Sequence, residues 1–399
     1  MANTQRVFTG SVLALVLLSF ILGTSEFIVV GTLPDIAGSL HQSIAVVGTI
    51  VSVFAITYAL GTPFLTAFTS NFNRYRLLLA LTVLFILGNI MSAAAASYGW
   101  LIVSRVITSV VSGTLISVSM TFSSDVATPE NRGRVVAWIF SGFSIASVVG
   151  VPAGSFLSHL LGWRWAFGAI AVLSAGVLVL LIRMLPRQGT IQKSRLNQQL
   201  ALFTDRRIQL GFFVPMLGAA GTYVCYTYLT PIFQNALGVP AKYTGVALFF
   251  FGVCAIGSNL FSGRLAGMGG TRKLPGIFIA QTACLLLMPL SLRWAPAGFA
   301  DVMALGFIMY LMNSPIMLFY LDTASADYPQ SVSLASAINP VSFNLGISLG
   351  SLVGSLVVGH LGLRPLGWFG TIFALGDLAV ALTLCGITRR AAGEREKRG

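Results

Sequence analysis

FSIASVVGVPAGSFLSHLLGWR, residues 143–164, returns as FNLGISLGSLVGSLVVGHLGLR, residues 343–364. At a constant offset of 200, Phe143, Gly150, Gly154, Ser155, Leu161, Gly162 and Arg164 are matched by Phe343, Gly350, Gly354, Ser355, Leu361, Gly362 and Arg364. A second echo pairs Gly61 and Arg76 with Gly257 and Arg272, each pair 15 residues apart. Close-packing glycines could produce part of such an echo, but register held over 22 residues points to a duplicated unit.

The surroundings of both copies are apolar. Hydrophobic residues form 56% of the chain and charged residues 9%, against about a quarter charged in an ordinary soluble domain. With a mean hydropathy of +0.86, the composition is that of an integral membrane protein. The net charge of +13 does not indicate nucleic acid, because the basic residues fall in short clusters between apolar runs. Cys225, Cys254, Cys284 and Cys385 are scattered singly, so they read as buried thiols, and neither a disulfide nor a metal site is expected. Arg6 followed by an apolar run is reminiscent of a signal peptide, but the run is long and lacks a small-residue cleavage site, so it reads as a retained span.

A span needs about 20 apolar residues. Twelve are expected, at 8–33, 44–68, 76–97, 100–124, 134–158, 164–185, 208–234, 243–267, 274–293, 298–321, 332–359 and 365–387. The chain then divides into a six-helix bundle (1–185), a polar, basic linker (186–207), a second bundle (208–388) and a basic tail (389–399). With a cytoplasmic N-terminus, 19 of the 24 basic residues fall on one side, which places both termini and the linker in the cytoplasm. Six is even, so both halves enter the membrane in the same direction and form a parallel repeat about an axis along the membrane normal. Two such bundles can rock about a central site. A channel would need a polar or charged ring, and none is visible.

Several motifs resemble the major facilitator superfamily, and within it the twelve-helix drug:proton antiporter branch. The resemblance covers the whole chain. Gly142, Gly150, Pro152 and Gly154 in the fifth span look like the family's antiporter motif, in which small residues bring helices together and a proline bends one of them. Ordinary tight packing would use the same residues. GWRWAF (162–167) is similar to this branch as the sixth span begins, with Trp163 and Trp165 expected as interfacial anchors. LIVSRVITSVVSG (101–113) resembles the motif built around an arginine, here Arg105, followed by Ser109, Ser112 and Ser119 at helical spacing. The resemblance implies a place near the proton path for Arg105; the alternative is that it snorkels to the outer headgroups. The loop after the second span departs from the family pattern. Arg74 and Arg76 are kept, but its acid is missing, which puts the usual charge latch in doubt. The copy at 263–273 also lacks the aspartate. These departures and the GTLPDIA start look similar to members exporting sugars, nucleosides or chloramphenicol-like compounds.

Glu26 is the only charge between Phe8 and Val30. A carboxylate at membrane depth costs about 2.5–3.5 kcal/mol on insertion scales, so it is expected to face a cavity and mark a proton relay. A glutamate that only ties helices together is the alternative. Pro34 is expected to break this helix near the outer surface. Asp377 is the other deep acid; its repeat counterpart is Val177, so a helix contact and a second proton site stand equal. Asp322 and Asp327 are expected to meet basic residues of neighbouring loops, and His159 and His360 to hydrogen-bond at the interface. Ser109, Ser112, Phe143, Tyr223, Tyr226, Asn313, Asn339 and Asn344 are candidates to line a substrate cavity, with Tyr228 beside them. Aromatics with a few amides suit neutral or amphipathic molecules, although the tyrosines could equally be packing residues.

The expectation is therefore an all-α membrane protein of twelve spans that exports small organic molecules against protons. It would work in the bacterial inner membrane as a monomer, with no cofactor and no nucleic acid. Uptake of a sugar or nucleoside by symport or facilitation is the alternative. No Walker A pattern is present, and neither are the motifs of a membrane enzyme.

Overall fold

A computed structural model describes residues 9–69, 72–126, 132–187, 200–328 and 331–396. Ser70, Asn71 and residues 188–199 of the expected linker lie outside the described residues, as do the side chains of Arg132 and Arg134. Twelve helices are long and apolar enough to cross a membrane. Spans one to four are Gly10–Ser39, Ile44–Thr69, Arg74–Ala93 and Tyr98–Thr121. The fifth runs through Arg132–Ile145, a π turn at Ala146–Gly150 and Val151–Leu161, and the sixth is Trp163–Met184. The seventh is Arg206–Tyr226, followed by Leu229–Pro231 and a π turn at Ile232–Ala236. Then come Ala241–Gly267, Leu274–Ser291, a tenth span broken into Ala295–Ile308 and Asn313–Asp327, Val332–Leu361 and Leu366–Glu396.

Local chemistry sets the ends. Asn73, Ser97 and Asp205 cap spans three, four and seven by accepting from Arg76, Trp100 and Arg207 backbone N–H groups. Gly162 and Gly362, a repeat pair, close spans five and eleven at φ of 97° and 84°, a region that L side chains avoid. Pro152 has no N–H to donate, and the turn immediately before it widens to π geometry, with Val151 N–H bonded to Ala146 O.

Polarity is inverted relative to a soluble protein. Phe64 is 77% exposed and Val172 72%, whereas Ser25, Asn89, Ser104, Arg105 and Thr108 are buried. An apolar exterior over a hydrogen-bonded polar interior is stable only in lipid.

The chain gathers into two compact units, built mainly on spans one to six and seven to twelve; Ile44–Ser52 is counted with the second and Pro240–Phe249 with the first. Within the second unit, Ser52 Oγ donates to Ser348 O at 2.6 Å and Ser355 Oγ to Ala45 O at 2.8 Å. Each unit repeats the same packing. Span one lies on five and six, and three on four and six; span seven lies on eleven and twelve, and nine on ten and twelve.

Pro34 does not end the first helix. The helix runs on to Ser39 and stops only where Leu40 N–H bonds to Ile36 O and His41 turns to φ 52°. A proline removes one backbone bond, and continuous α geometry on both sides satisfies the rest. Trp163 is also not an interfacial anchor. It is 2% exposed and meets Phe167 edge-on at 5.9 Å, and only Trp165, at 62%, points outward. Cys225 and Cys284 are buried as expected, whereas Cys254 and Cys385 are half-buried.

Candidate functional site

The glycines of the opening repeat form a seam in each unit. A Cβ on Gly142 would come within 2.6 Å of Val16 O and 2.7 Å of Phe20 N, on the backbone of span one. Farther along, Gly150 meets Thr24 and Gly154 meets Ile28. Across the repeat, Gly350 meets Ala220 and Gly354 meets Val224 on span seven. Spans five and eleven thus lie glycine-first on spans one and seven, and at Gly142, Gly350 and Gly354 a side chain would meet backbone.

That seam fixes which way Glu26 points. Thr24 and Ile28 face span five, so Glu26, two residues from each, turns away from it. The residue before it anchors the fourth span. Arg105 Nη1 donates to Ser25 Oγ at 3.1 Å and Nη2 to Ser25 O at 2.5 Å, while Ser25 Oγ donates to Asn89 Oδ1 at 3.0 Å. The guanidinium lies over the rings of Phe54 at 4.5 Å and Phe167 at 5.4 Å. Arg105 is completely buried, so it does not snorkel. Cation–π contacts of about 2 kcal/mol when desolvated, together with charged hydrogen bonds of about 1.5–3 kcal/mol, hold it in protein. Arg105 and Glu26 do not close an ion pair, but Arg105 and Tyr58 lie within electrostatic reach of the carboxylate. Glu26 itself is 8% exposed and has no hydrogen-bond partner among the described residues. A fixed cation beside an uncommitted carboxylate can offset its charge when a proton leaves, without preventing the proton's return.

Ser109 and Ser112 are buried and bonded within their own surroundings, Ser109 to Val106 O and Thr57, and Ser112 to Thr108 O at 2.6 Å. Phe143 rests against Gly23, one turn before Glu26. In the second unit its repeat counterpart, Phe343, stacks on Tyr310 at 6.0 Å and meets Tyr223 edge-on at 6.0 Å. Tyr223 continues to Tyr226 at 4.7 Å and Tyr226 to Phe251 at 5.5 Å. Of these five rings only Tyr223 and Tyr226 stood out in the sequence; the Phe143–Phe343 match was the signal for a third. The Oδ1 atoms of Asn313, Asn339 and Asn344 are buried without a partner among the described residues, and Asn344 Nδ2 donates to Pro340 O. Asp377 is fully buried in span twelve, in the second unit, whereas Glu26 belongs to the first.

Two ionic clusters lie at helix ends. Arg74 pairs with Asp125, beyond the fourth span, and donates to Thr121 O at 3.0 Å, so an acid distant in sequence takes the place of the one missing from the loop. Arg207 joins Asp205 and Asp327, each at 2.6 Å, which gives Asp327 the basic partner expected of it. Partial burial would raise the Asp205 pKa, but hydrogen bonds from the Arg207 side chain and backbone outweigh it and hold Asp205 below the usual aspartate value.

The family model of the major facilitator superfamily matches residues 15–333. The chain belongs to the major facilitator superfamily. It is similar to the uncharacterized MFS-type transporter YtbD of Bacillus subtilis, 34% identical over 389 residues and 96% of both chains. It is also similar to the inner membrane transport protein YdhP of Escherichia coli, 29% identical over 346 residues, 87% of this chain and 88% of that one. Among solved structures, a bacterial homologue of the lysosomal transporter Spinster superposes with a TM-score of 0.75 at 15% identity, covering 96% of this chain and 98% of that one. The D-xylose–proton symporter superposes with a TM-score of 0.72 at 17% identity over 94% and 96%. This major facilitator protein is therefore a multi-pass membrane transporter and not an enzyme.

Proposed function

We propose that this transporter is a proton-coupled exporter of small organic molecules, working by alternating access of two rocking bundles in the bacterial inner membrane with both termini cytoplasmic. The observation that carries the reading is Glu26, deep in span one, unbonded and beside an arginine held in place by Ser25. Arg105 supplies the compensating charge, and Glu26 takes the proton from one side and releases it to the other. The five joined rings and three buried amides of the second unit favour uncharged or amphipathic cargo such as a drug, sugar or nucleoside. The seam glycines Gly142, Gly150 and Gly154, with Pro152, favour antiport by keeping span five rigid against span one. The Arg74–Asp125 pair braces the end of the same unit, and the protein acts as a monomer.

Transport into proteoliposomes under an imposed pH gradient, with a panel of drugs, sugars and nucleosides, tests the reading. Glu26→Gln is expected to abolish gradient-driven accumulation while sparing downhill exchange. Full pH-driven accumulation by Glu26→Gln refutes it.

A further inference from the structure

Asp377 is the second acid at membrane depth, and its setting differs from that of Glu26. It is 0% exposed, and both carboxyl oxygens are buried with no protein donor among the described residues. The carboxyl lies over Gly218 of span seven, where a Cβ would come within 2.8 Å of Asp377 Oδ2 and 2.7 Å of Met312 Sδ. A glycine therefore makes the room that this acid occupies. Met312 is the last residue of the break in span ten, between Ala295–Ile308 and Asn313–Asp327. Neighbouring donors are committed elsewhere. Gln281 Nε2 bonds Gly218 O at 2.8 Å and Thr222 Oγ1 at 2.9 Å, and Tyr320 OH bonds Gly211 O at 2.6 Å. Tyr320, from span ten, is the titratable group within electrostatic reach; no cation among the described residues is.

An unpaired carboxylate is too costly for such a seam, and a neutral carboxylic acid is not. A purely structural contact would be expected to use a donor or an apolar residue, as the first unit does with Val177 at the repeat position. We infer that Asp377 is a second proton-carrying site, independent of Glu26, whose deprotonation loosens the joint of spans seven, ten and twelve at the break around Met312. With the proton bound, the neutral acid packs against Gly218 and Met312. When the proton leaves, the carboxylate must gain water or donors, and the adjoining backbone outside regular helix is the turn at 309–312. The proposal rests on the proton-coupled reading only for its place in the transport cycle.

The test is pH-titrated infrared spectroscopy of the purified full-length protein in lipid nanodiscs, with hydrogen–deuterium exchange of residues 309–313 alongside. Wild type is expected to show two protonated-carboxyl bands that outlast those of the exposed acids as pH rises. Asp377→Asn removes one of them and Glu26→Gln the other, so the two assignments fail separately. Protection factors at 309–313, taken as exchange rates corrected for intrinsic base catalysis, are expected to fall at alkaline pH in wild type and in Glu26→Gln, and not in Asp377→Asn. Asp377→Val, which installs the residue of the first unit, gives the same two losses and serves if the asparagine variant does not fold. An unchanged carboxyl spectrum in both Asp377 variants, or an alkaline fall in protection that survives them, overturns the proposal.

Discussion

Replacing Gly350 by alanine should measure how tightly the repeated seam is closed. The added Cβ would lie 2.3 Å from Ala220 O, 2.9 Å from Ala220 Cα and 3.0 Å from Ala220 C, all backbone atoms of span seven that cannot rotate away. Ordinary contact begins near 3.4 Å, so spans seven and eleven must part by about 1 Å. Overpacking of this kind costs about 1–3 kcal/mol, and a clash with backbone falls at the upper end. The better helix propensity of alanine returns up to about 1 kcal/mol. The net expectation is a loss of about 2 kcal/mol, or roughly 4–8 °C in apparent melting temperature for a unit of about 200 residues. Gly154→Ala supplies the comparison. Its Cβ meets Ile28 Cδ1 at 1.8 Å, the far end of a flexible side chain that can turn aside, so its effect should stay within about 1 kcal/mol. Tryptophan-fluorescence melting of the solubilised protein reads both variants. Equal melting temperatures for Gly350→Ala and wild type, or a larger loss in Gly154→Ala, would refute a seam set by backbone contact.

Arg105→Lys should lower stability by about 1.5–3 kcal/mol, because an ammonium cannot bond Ser25 Oγ and O together as the guanidinium fork does. Arg105→Ala should lose more, and melting curves read the order. At the start of span seven, Asp205→Asn keeps a capping oxygen but loses the charge and the second oxygen that accepts from the Arg207 guanidinium, whereas Asp205→Ala should cost a further 0.5–2 kcal/mol or so. Since Arg207 holds the Asp205 pKa below its unfolded value of about 3.9, the stability it contributes is complete above that pH and disappears as pH falls through the folded value. The difference in melting between wild type and Asp205→Asn should therefore be constant near neutrality and vanish in acid.

Much of the architecture is legible in the chain. Apolar runs of bilayer length gave twelve spans, and the 143–164 echo announced the seam that recurs within each unit, because close helix approach requires glycine wherever it recurs. Glu26 and Arg105 also stood out, since isolated charges in apolar runs are rare. The breaks were less visible. The interruption at 309–312 carries no proline or glycine itself; its one marker is Pro315 just beyond, which has no N–H to donate to Leu311 O. Phe251 and Tyr310 were likewise inconspicuous among 28 phenylalanines and 10 tyrosines until packing joined them.

What sequence alone determined is periodic or compositional: a membrane chain, its spans and its duplication. What only the tertiary structure decided is pairing. Arg105 is held by Ser25 and leaves Glu26 unbonded; Arg74 finds its acid 51 residues away at Asp125. Trp163 turns inward, and Asp377 settles over Gly218 beside a broken helix. The spacing of residues along a helix fixes the face each one presents, but the neighbour that meets that face is set by the packing of helices distant in sequence.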